Sequence, residues 1–245
     1  IFKMTEQMRA ASDWDPEQVK KMVVDSMRAQ LPEGFDVDRH FTPSYRVWQQ
    51  RLAILPDGDL FRAIREEKVS VVTDTIERFT KTGITVSSGE HLQADVVITA
   101  TGFDLSIMGD IDLAVDGKDI DPADLVTYRG IMFTELPNLA YVFGYFRASW
   151  TLRADIISDF VCRLLAHMDS RGAKAVVPAL RPADADMSLI SWVDPAKFNP
   201  GYMMRTMHRM PKQGDRDPWT WGLEYAEEKT ALEGVDLDDG TLAFS

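Results

Sequence analysis

Apolar and polar residues alternate along this chain with two different periods, and each period marks a type of element. Over residues 16–30, Val19, Met22, Val23, Ser26 and Met27 recur at three- and four-residue spacing, which places them on one face of a helix. Asp15 supplies an N-cap and Pro16 a first helical position, and Leu31-Pro32-Glu33-Gly34 stops the element. Residues 35–58 carry no period, with Pro43, Pro56 and Asp57-Gly58 as turns. A short helix is predicted over Leu60–Glu67, capped by Asp59. Val69–Thr73, Thr75–Thr80 and Ile84–Ser87 then gather β-branched residues into strands, separated by turn residues. Asp95–Ala100 is almost continuously apolar after its first residue, the profile of a strand covered on both faces in a parallel sheet. Leu139–Val142 reads as another short strand, ending at Gly144. The strongest helical pattern runs from Thr151 to Met168, with Leu152, Ile156, Ile157, Phe160, Val161, Leu164, Leu165 and Met168 as its buried stripe. Ser149 is its N-cap and Gly172 its end. Beyond residue 175 periodicity is weak; Trp219 and Trp221 read as anchors, and the methionines from Met203 to Met210 as core or interface.

Composition narrows the chemistry. With 245 residues, 45% hydrophobic and 27% charged, the chain can bury a sizeable core. Its net charge of −12, without any dense basic run, argues against a nucleic-acid partner. Cys162 is the single cysteine, so no intrachain disulfide is possible, and its apolar surroundings predict a small buried hydrophobe. That usage, with no signal pattern at the start, points to a reducing compartment, the cytoplasm. The histidines give no metal-ligand spacing, and Asp236, Asp238 and Asp239 read as a solvated tail. No apolar run approaches the roughly 20 residues that span a bilayer. The opening Ile1-Phe2-Lys3-Met4 reads as a start partway along a longer protein.

The most informative segment is Ala94-Asp95-Val96-Val97-Ile98-Thr99-Ala100-Thr101-Gly102-Phe103-Asp104. A buried strand ends in Ala-Thr-Gly, where glycine lets the backbone turn and approach a ligand closely. Ligands of open α/β sheets lie outside the carboxyl ends of strands. Spacing alone is met as well by a plain strand followed by a glycine turn, with no ligand.

Residue identities add more. The segment resembles the Ala-Thr-Gly motif of flavoproteins with two dinucleotide-binding domains. His40-Phe41-Thr42-Pro43-Ser44-Tyr45, Gln50-Arg51-Leu52 and Asp57-Gly58-Asp59-Leu60-Phe61 resemble the linker of Baeyer–Villiger monooxygenases. Leu136-Pro137-Asn138-Leu139-Ala140-Tyr141 resembles that family's Pro-Asn-Leu strand. Gly144-Tyr145-Phe146-Arg147-Ala148-Ser149-Trp150-Thr151-Leu152 and Pro211-Lys212-Gln213-Gly214 through Pro218-Trp219 are similar to the ethionamide-activating monooxygenases of mycobacteria. The likeness covers residues 30 to 225.

This resemblance implies an α/β fold, a Rossmann-like flavoprotein with two dinucleotide-binding domains, present only as its C-terminal portion. Residues 1–93 would be the tail of the NADP-binding domain with a helical linker, 94–172 the C-terminal half of the FAD-binding domain, and 173–245 a C-terminal extension. The implied activity is an FAD- and NADPH-dependent monooxygenase acting on ketones, sulfides or thioamides with O₂. Arg51 matches the family arginine that stands over the flavin, a permanent cation suited to negative charge on oxygen. Thr101 and Gly102 belong to the cofactor-binding turn. Ser149, Trp150, Thr151 and Leu152 form a helix N-terminus, whose free N–H groups and partial positive charge suit the anionic pyrimidine end of a reduced flavin. Phe146 and Trp150 are candidates for the substrate side.

Both Gly-x-Gly-x-x-Gly loops that would hold the FAD and NADP pyrophosphates are absent, as is the family's Phe-x-Gly-x-x-x-His fingerprint. The resemblance therefore implies a missing N-terminal half, and with it open sheet edges and bare apolar surface around residues 69–100. Two alternatives stand beside this reading: a flavoprotein reductase of the same fold, and a non-catalytic partial chain that serves as a binding or assembly partner.

Overall fold

In the first half of the chain, Asp15 separates two helices, α1 (Phe2–Trp14) and α2 (Pro16–Arg28). The computed structural model describes residues 2–146, 148–222 and 224–245, without the side chains of residues 2–6 and Arg9. Two units divide the chain, residues 1–103 and 104–245. Asp15 caps α2 as predicted: its carboxylate accepts from the Gln18 N–H at 3.2 Å, and Pro16 occupies the first turn. The buried face is not the predicted stripe. Val19 and Val24 are buried, whereas Met22 is 51% exposed. Two separate clusters claim the helix: Val19 packs with Val47 and Trp48, and Val24 with Val37, Phe61 and Ile64.

Next come α3 (Val37–His40) and α4 (Asp59–Arg65). Gly58, not Asp59, holds the cap position of α4, and Asp59 pairs instead with Arg62 within the helix. Strands β1 (Ile76–Thr80), β2 (Gly83–Val86) and β3 (His91–Gln93) form an antiparallel sheet in that order. Here the predicted parallel sheet is corrected. Val69–Thr73 and Asp95–Ala100 are not strands, and Val96 and Ile98 are 77% and 87% exposed. A strand exists only through hydrogen bonds to a neighbour, and no segment among the described residues offers one to 95–100. The expected bare apolar surface is present at this stretch.

The second unit is organised around α5 (Trp150–Arg171). Ile156, Ile157, Phe160, Leu164 and Met168 are buried on one face, and Gly172 ends the helix at φ 68°, the left-handed cap the sequence predicts. Leu165 is 55% exposed and Cys162 is exposed, against expectation. Both project away from the face that carries Ile156, Ile157, Phe160, Leu164 and Met168 into the core. Before α5 lie the hairpins β4 (Leu113–Val115)–β5 (Lys118–Ile120) and β6 (Thr127–Tyr128)–β7 (Met132–Phe133). Leu139–Val142 is not a strand; Tyr141 N–H donates to the Ile131 carbonyl at 2.7 Å. After α5 come β8 (Val176–Pro178), β9 (Ile190–Ser191), α6 (Gly201–Thr206), β10 (Lys212–Gln213), α7 (Tyr225–Glu233) and β11 (Leu242–Phe244). β9 pairs with β10 and β8 with β11, both antiparallel.

Trp219 is fully buried and Trp221 nearly so, as expected of anchors, and Met203 and Met210 are core. The acidic tail is less free than predicted. Asp238 accepts from His167 at 3.1 Å and pairs with Arg171, and Asp239 lies 3.6 Å from Arg181. β11 pairs with β8 immediately beyond, so these carboxylates hold a folded turn.

Candidate functional site

Arg51 lies in an irregular segment fixed from behind. Val47 and Trp48 are buried, with Trp48 at φ 70°, a left-handed conformation that a bulky residue adopts only when packing enforces it. The buried Ser12 hydroxyl donates to the Val47 carbonyl at 2.5 Å. Arg51 itself is exposed and opens onto a cleft of about 490 Å³ within the first unit. Lys20, Arg39, His40 and Tyr45 share that cleft, and among the described residues no carboxylate lines it. His40 Nδ1 lies 2.8 Å from the Thr73 hydroxyl, and the Arg39 guanidinium donates to the Thr73 carbonyl at 3.3 Å. No acidic partner is recorded for Arg51 among the described residues. A wall whose described residues include two arginines, a lysine and no carboxylate suits a ligand that carries or develops negative charge.

Thr101 and Gly102 are exposed and in no regular element, with Gly102 at φ 96°. They belong to the first unit, as Arg51 does, while Ser149–Leu152 belong to the second.

Ser149 occupies the N-cap position of α5 with extended backbone, φ −64° and ψ 135°, as predicted. Its side chain does not cap the helix. The hydroxyl pairs with that of Thr151 at 2.8 Å instead, and no acidic residue lies in the first turn. Ser149, Trp150 and Thr151 are exposed, and Leu152 is half-buried. A helix of 22 residues therefore presents a first turn that no side chain of its own seals. That arrangement fits the polar, electron-rich end of a bound ring system. Trp150 packs on Phe143 with ring centroids 5.1 Å apart. Phe146 is 4% exposed and stacks on Phe198 at 4.4 Å, so its ring is spent on the core. Arg147 lies outside the described residues.

Sequence reasoning missed the most heavily bonded side chain in the region. Arg153, one turn into α5, is fully buried. Its Nε donates to Glu228 Oε1 and Oε2 at 2.9 and 3.1 Å, and Nη2 to Glu228 Oε1 at 2.7 Å. Nη1 donates to the Phe143 carbonyl at 2.6 Å and more weakly to that of Gly130 at 3.3 Å, and Nη2 reaches the Arg129 carbonyl at 3.0 Å. The Trp221 ring covers the guanidinium at 4.8 Å. Tyr145 donates its phenol to Glu228 Oε2 at 2.5 Å. Burial, then the Glu228 carboxylate, push that phenol far above the usual tyrosine range. A signal was present: Arg153 falls on the 153–156–160–164 line, a charge at the head of the buried stripe.

No protein-family model matches the chain. Over 236 residues it is 44% identical to the FAD-containing monooxygenase EthA of Mycobacterium tuberculosis, covering 96% of this chain and 47% of EthA. It is 41% identical over 234 residues to the probable FAD-binding monooxygenase AlmA of Acinetobacter baylyi, covering 95% of the chain and 46% of AlmA. Among solved structures it is similar to an oxidized steroid monooxygenase bound to NADP, with a TM-score of 0.68, 17% identity, and 96% of this chain against 46% of that one. It is likewise similar to OTEMO in complex with FAD and NADP, with a TM-score of 0.67, 14% identity, and 94% against 45% coverage. The chain thus spans about half the length of the curated relatives it matches. The resemblance drawn from its motifs is borne out: in sequence it is similar to FAD-containing monooxygenases, and its fold is that of a portion of a two-dinucleotide-domain Baeyer–Villiger monooxygenase. Among the described residues, no helix is long and apolar enough to cross a membrane.

Proposed function

We propose that this chain is part of an FAD- and NADPH-dependent monooxygenase that inserts one oxygen atom of O₂ into a ketone, giving an ester or lactone, or oxidises a sulfide or thioamide. The observation that carries the reading is the 44% identity sustained over 96% of the chain to an FAD-containing monooxygenase. Residues 1–93 are assigned to the NADP-binding side, 94–172 to the FAD-binding side and 173–245 to an extension. When bound, the two cofactors supply hydride transfer and oxygen activation.

The chain's own residues supply position and charge. Arg51, on a cleft that no described carboxylate lines, offers a fixed cation to the negative charge that builds on oxygen during insertion. The Thr151 and Leu152 N–H groups, with Ser149 beside them, meet the pyrimidine end of the flavin. There the unsealed helix terminus favours the reduced, anionic form. At Thr101–Gly102 a left-handed glycine, φ 96°, brings backbone rather than side chain toward the cofactor. Trp150, 46% exposed, has ring surface left for a substrate. Phe146 acts behind it, as packing.

The test is to purify the full-length protein with its flavin and give it NADPH, ¹⁸O₂, and a panel of ketones and sulfides. One labelled oxygen per product, with one NADPH consumed, supports the assignment. NADPH oxidation that reduces a disulfide or protein acceptor, with no label in any product, overturns it.

A further inference from the structure

We infer that Arg153 is a positioning residue that fixes the first turn of α5, and that Glu228 sets the charge standing behind that turn. The inference rests on the reading that this turn meets the flavin.

Arg153 follows Trp150 by three residues, about 4.5 Å along the helix axis, and helical side chains lean toward the N-terminus. Its guanidinium therefore reaches back beneath the turn. There it gathers the carbonyls of Arg129, Gly130 and Phe143, from the β6–β7 loop and the segment leading into the helix. On its other side it holds both oxygens of Glu228 on α7. The terminus of α5, the strand loop and the C-terminal helix are thus tied at one point. The pair is 0% and 5% exposed. Stability alone does not explain it, since well-packed apolar residues in place of a buried ion pair are often as stable or more so. What an apolar pair cannot do is orient a loop by its carbonyls or balance a charge. Glu228 cancels the Arg153 charge, so the turn presents only the partial positive charge of its own N–H groups. Tyr145, bonded to Glu228 Oε2, fixes which way that carboxylate faces.

The experiment measures the flavin midpoint potential, the flavin affinity and the melting temperature of the full-length holoprotein. Glu228→Gln keeps the shape but leaves the Arg153 charge uncompensated behind the turn. A net positive charge stabilises the reduced, anionic flavin, so the potential shifts to more positive values. Arg153→Met combined with Glu228→Met removes both charges, so the positive shift of Glu228→Gln is lost. It also removes the donor that gathers the three carbonyls, so the flavin is held more weakly. A double variant that matches wild type in both flavin affinity and potential would show that Arg153 does not position the turn. Tyr145→Phe changes no charge and lowers the melting temperature with little shift in potential. A Glu228→Gln protein with lowered melting temperature and an unmoved potential overturns the inference, leaving a merely structural ion pair. Thr151→Asp separates the two levels. A negative charge at the turn shifts the potential to more negative values if the turn meets the flavin. If neither Thr151→Asp nor Glu228→Gln moves it, the reading of the turn falls and the inference falls with it.

Discussion

Replacing Arg153 by alanine is expected to be among the most damaging single changes in the chain. The substitution leaves Glu228 charged with its side chain 5% exposed. Removing one partner of a buried ion pair costs about 3–5 kcal/mol. The carbonyls of Arg129, Gly130 and Phe143 lose their donor as well. A stranded buried acceptor adds about 1–3 kcal/mol, less whatever water entering the cavity restores. A loss of roughly 5 kcal/mol follows, comparable to the whole stability of a typical domain, about 5–15 kcal/mol. The assay is urea unfolding of wild type, Arg153→Ala, Glu228→Ala and the double variant, followed by tryptophan fluorescence, because the Trp221 ring covers the Arg153 guanidinium. The cycle should return a coupling energy of at least about 2 kcal/mol, in the upper part of the range for residues in contact. A loss below about 1 kcal/mol for Arg153→Ala, with additive single changes, would refute the reasoning, since that is the size of a solvent-exposed pair.

Three further outcomes follow from the same geometry. Gly130→Ala should cost about 2–4 kcal/mol, read as a lowered urea midpoint, through overpacking and an unfavourable backbone. Gly130 sits at φ 66°, and an added Cβ would lie 2.7 Å from both Arg153 Nη2 and the Trp221 Cβ. The raised phenol of Tyr145 makes stability fall with alkali: above the ordinary value of 10.0 the unfolded chain loses a proton that the folded chain keeps. Tyr145→Phe should flatten that part of the pH–stability curve, and an unchanged slope would show that other groups cause it. The isolated 245-residue chain should bind FAD weakly in a fluorescence titration, because it contains neither glycine-rich pyrophosphate loop; a purified chain carrying stoichiometric flavin would contradict this.

How much was legible in the sequence depended on where each element finds its partners. Helix ends are local chemistry, so Asp15 with Pro16, the N-cap position of Ser149 and the Gly172 terminus were all readable. Strands are pairings, and pairing is not local. The apolar run Asp95–Ala100 has the composition of a buried strand, yet no described segment lies alongside it, and it stands exposed. Faces of helices fall between these cases. On α5 the stripe was right at five positions and wrong at Leu165, and on α2 two clusters divided a face that the pattern drew as one. In the candidate site, motif resemblance pointed to Arg51 and the turn at Ser149–Leu152. It passed over Arg153 and Glu228, because an arginine on a helix reads as solvated until its carboxylate, 75 residues away, is placed beside it.

The most direct test of the proposed chemistry is stopped-flow kinetics on the full-length protein with Arg51→Ala and Arg51→Lys. Flavin reduction by NADPH and product formation are followed side by side. Reduction is hydride transfer and builds no negative oxygen, so it should remain at least partly intact in Arg51→Ala. Oxygen insertion should fall about a hundred- to thousandfold, the usual cost of losing one preorganised electrostatic partner. Lysine should restore only part of that loss, because an ammonium lacks the planar fork of donors. Unchanged oxygenation in Arg51→Ala would remove Arg51 from the chemistry. Equal loss of both steps with a lowered melting temperature would make it a structural residue of the cleft.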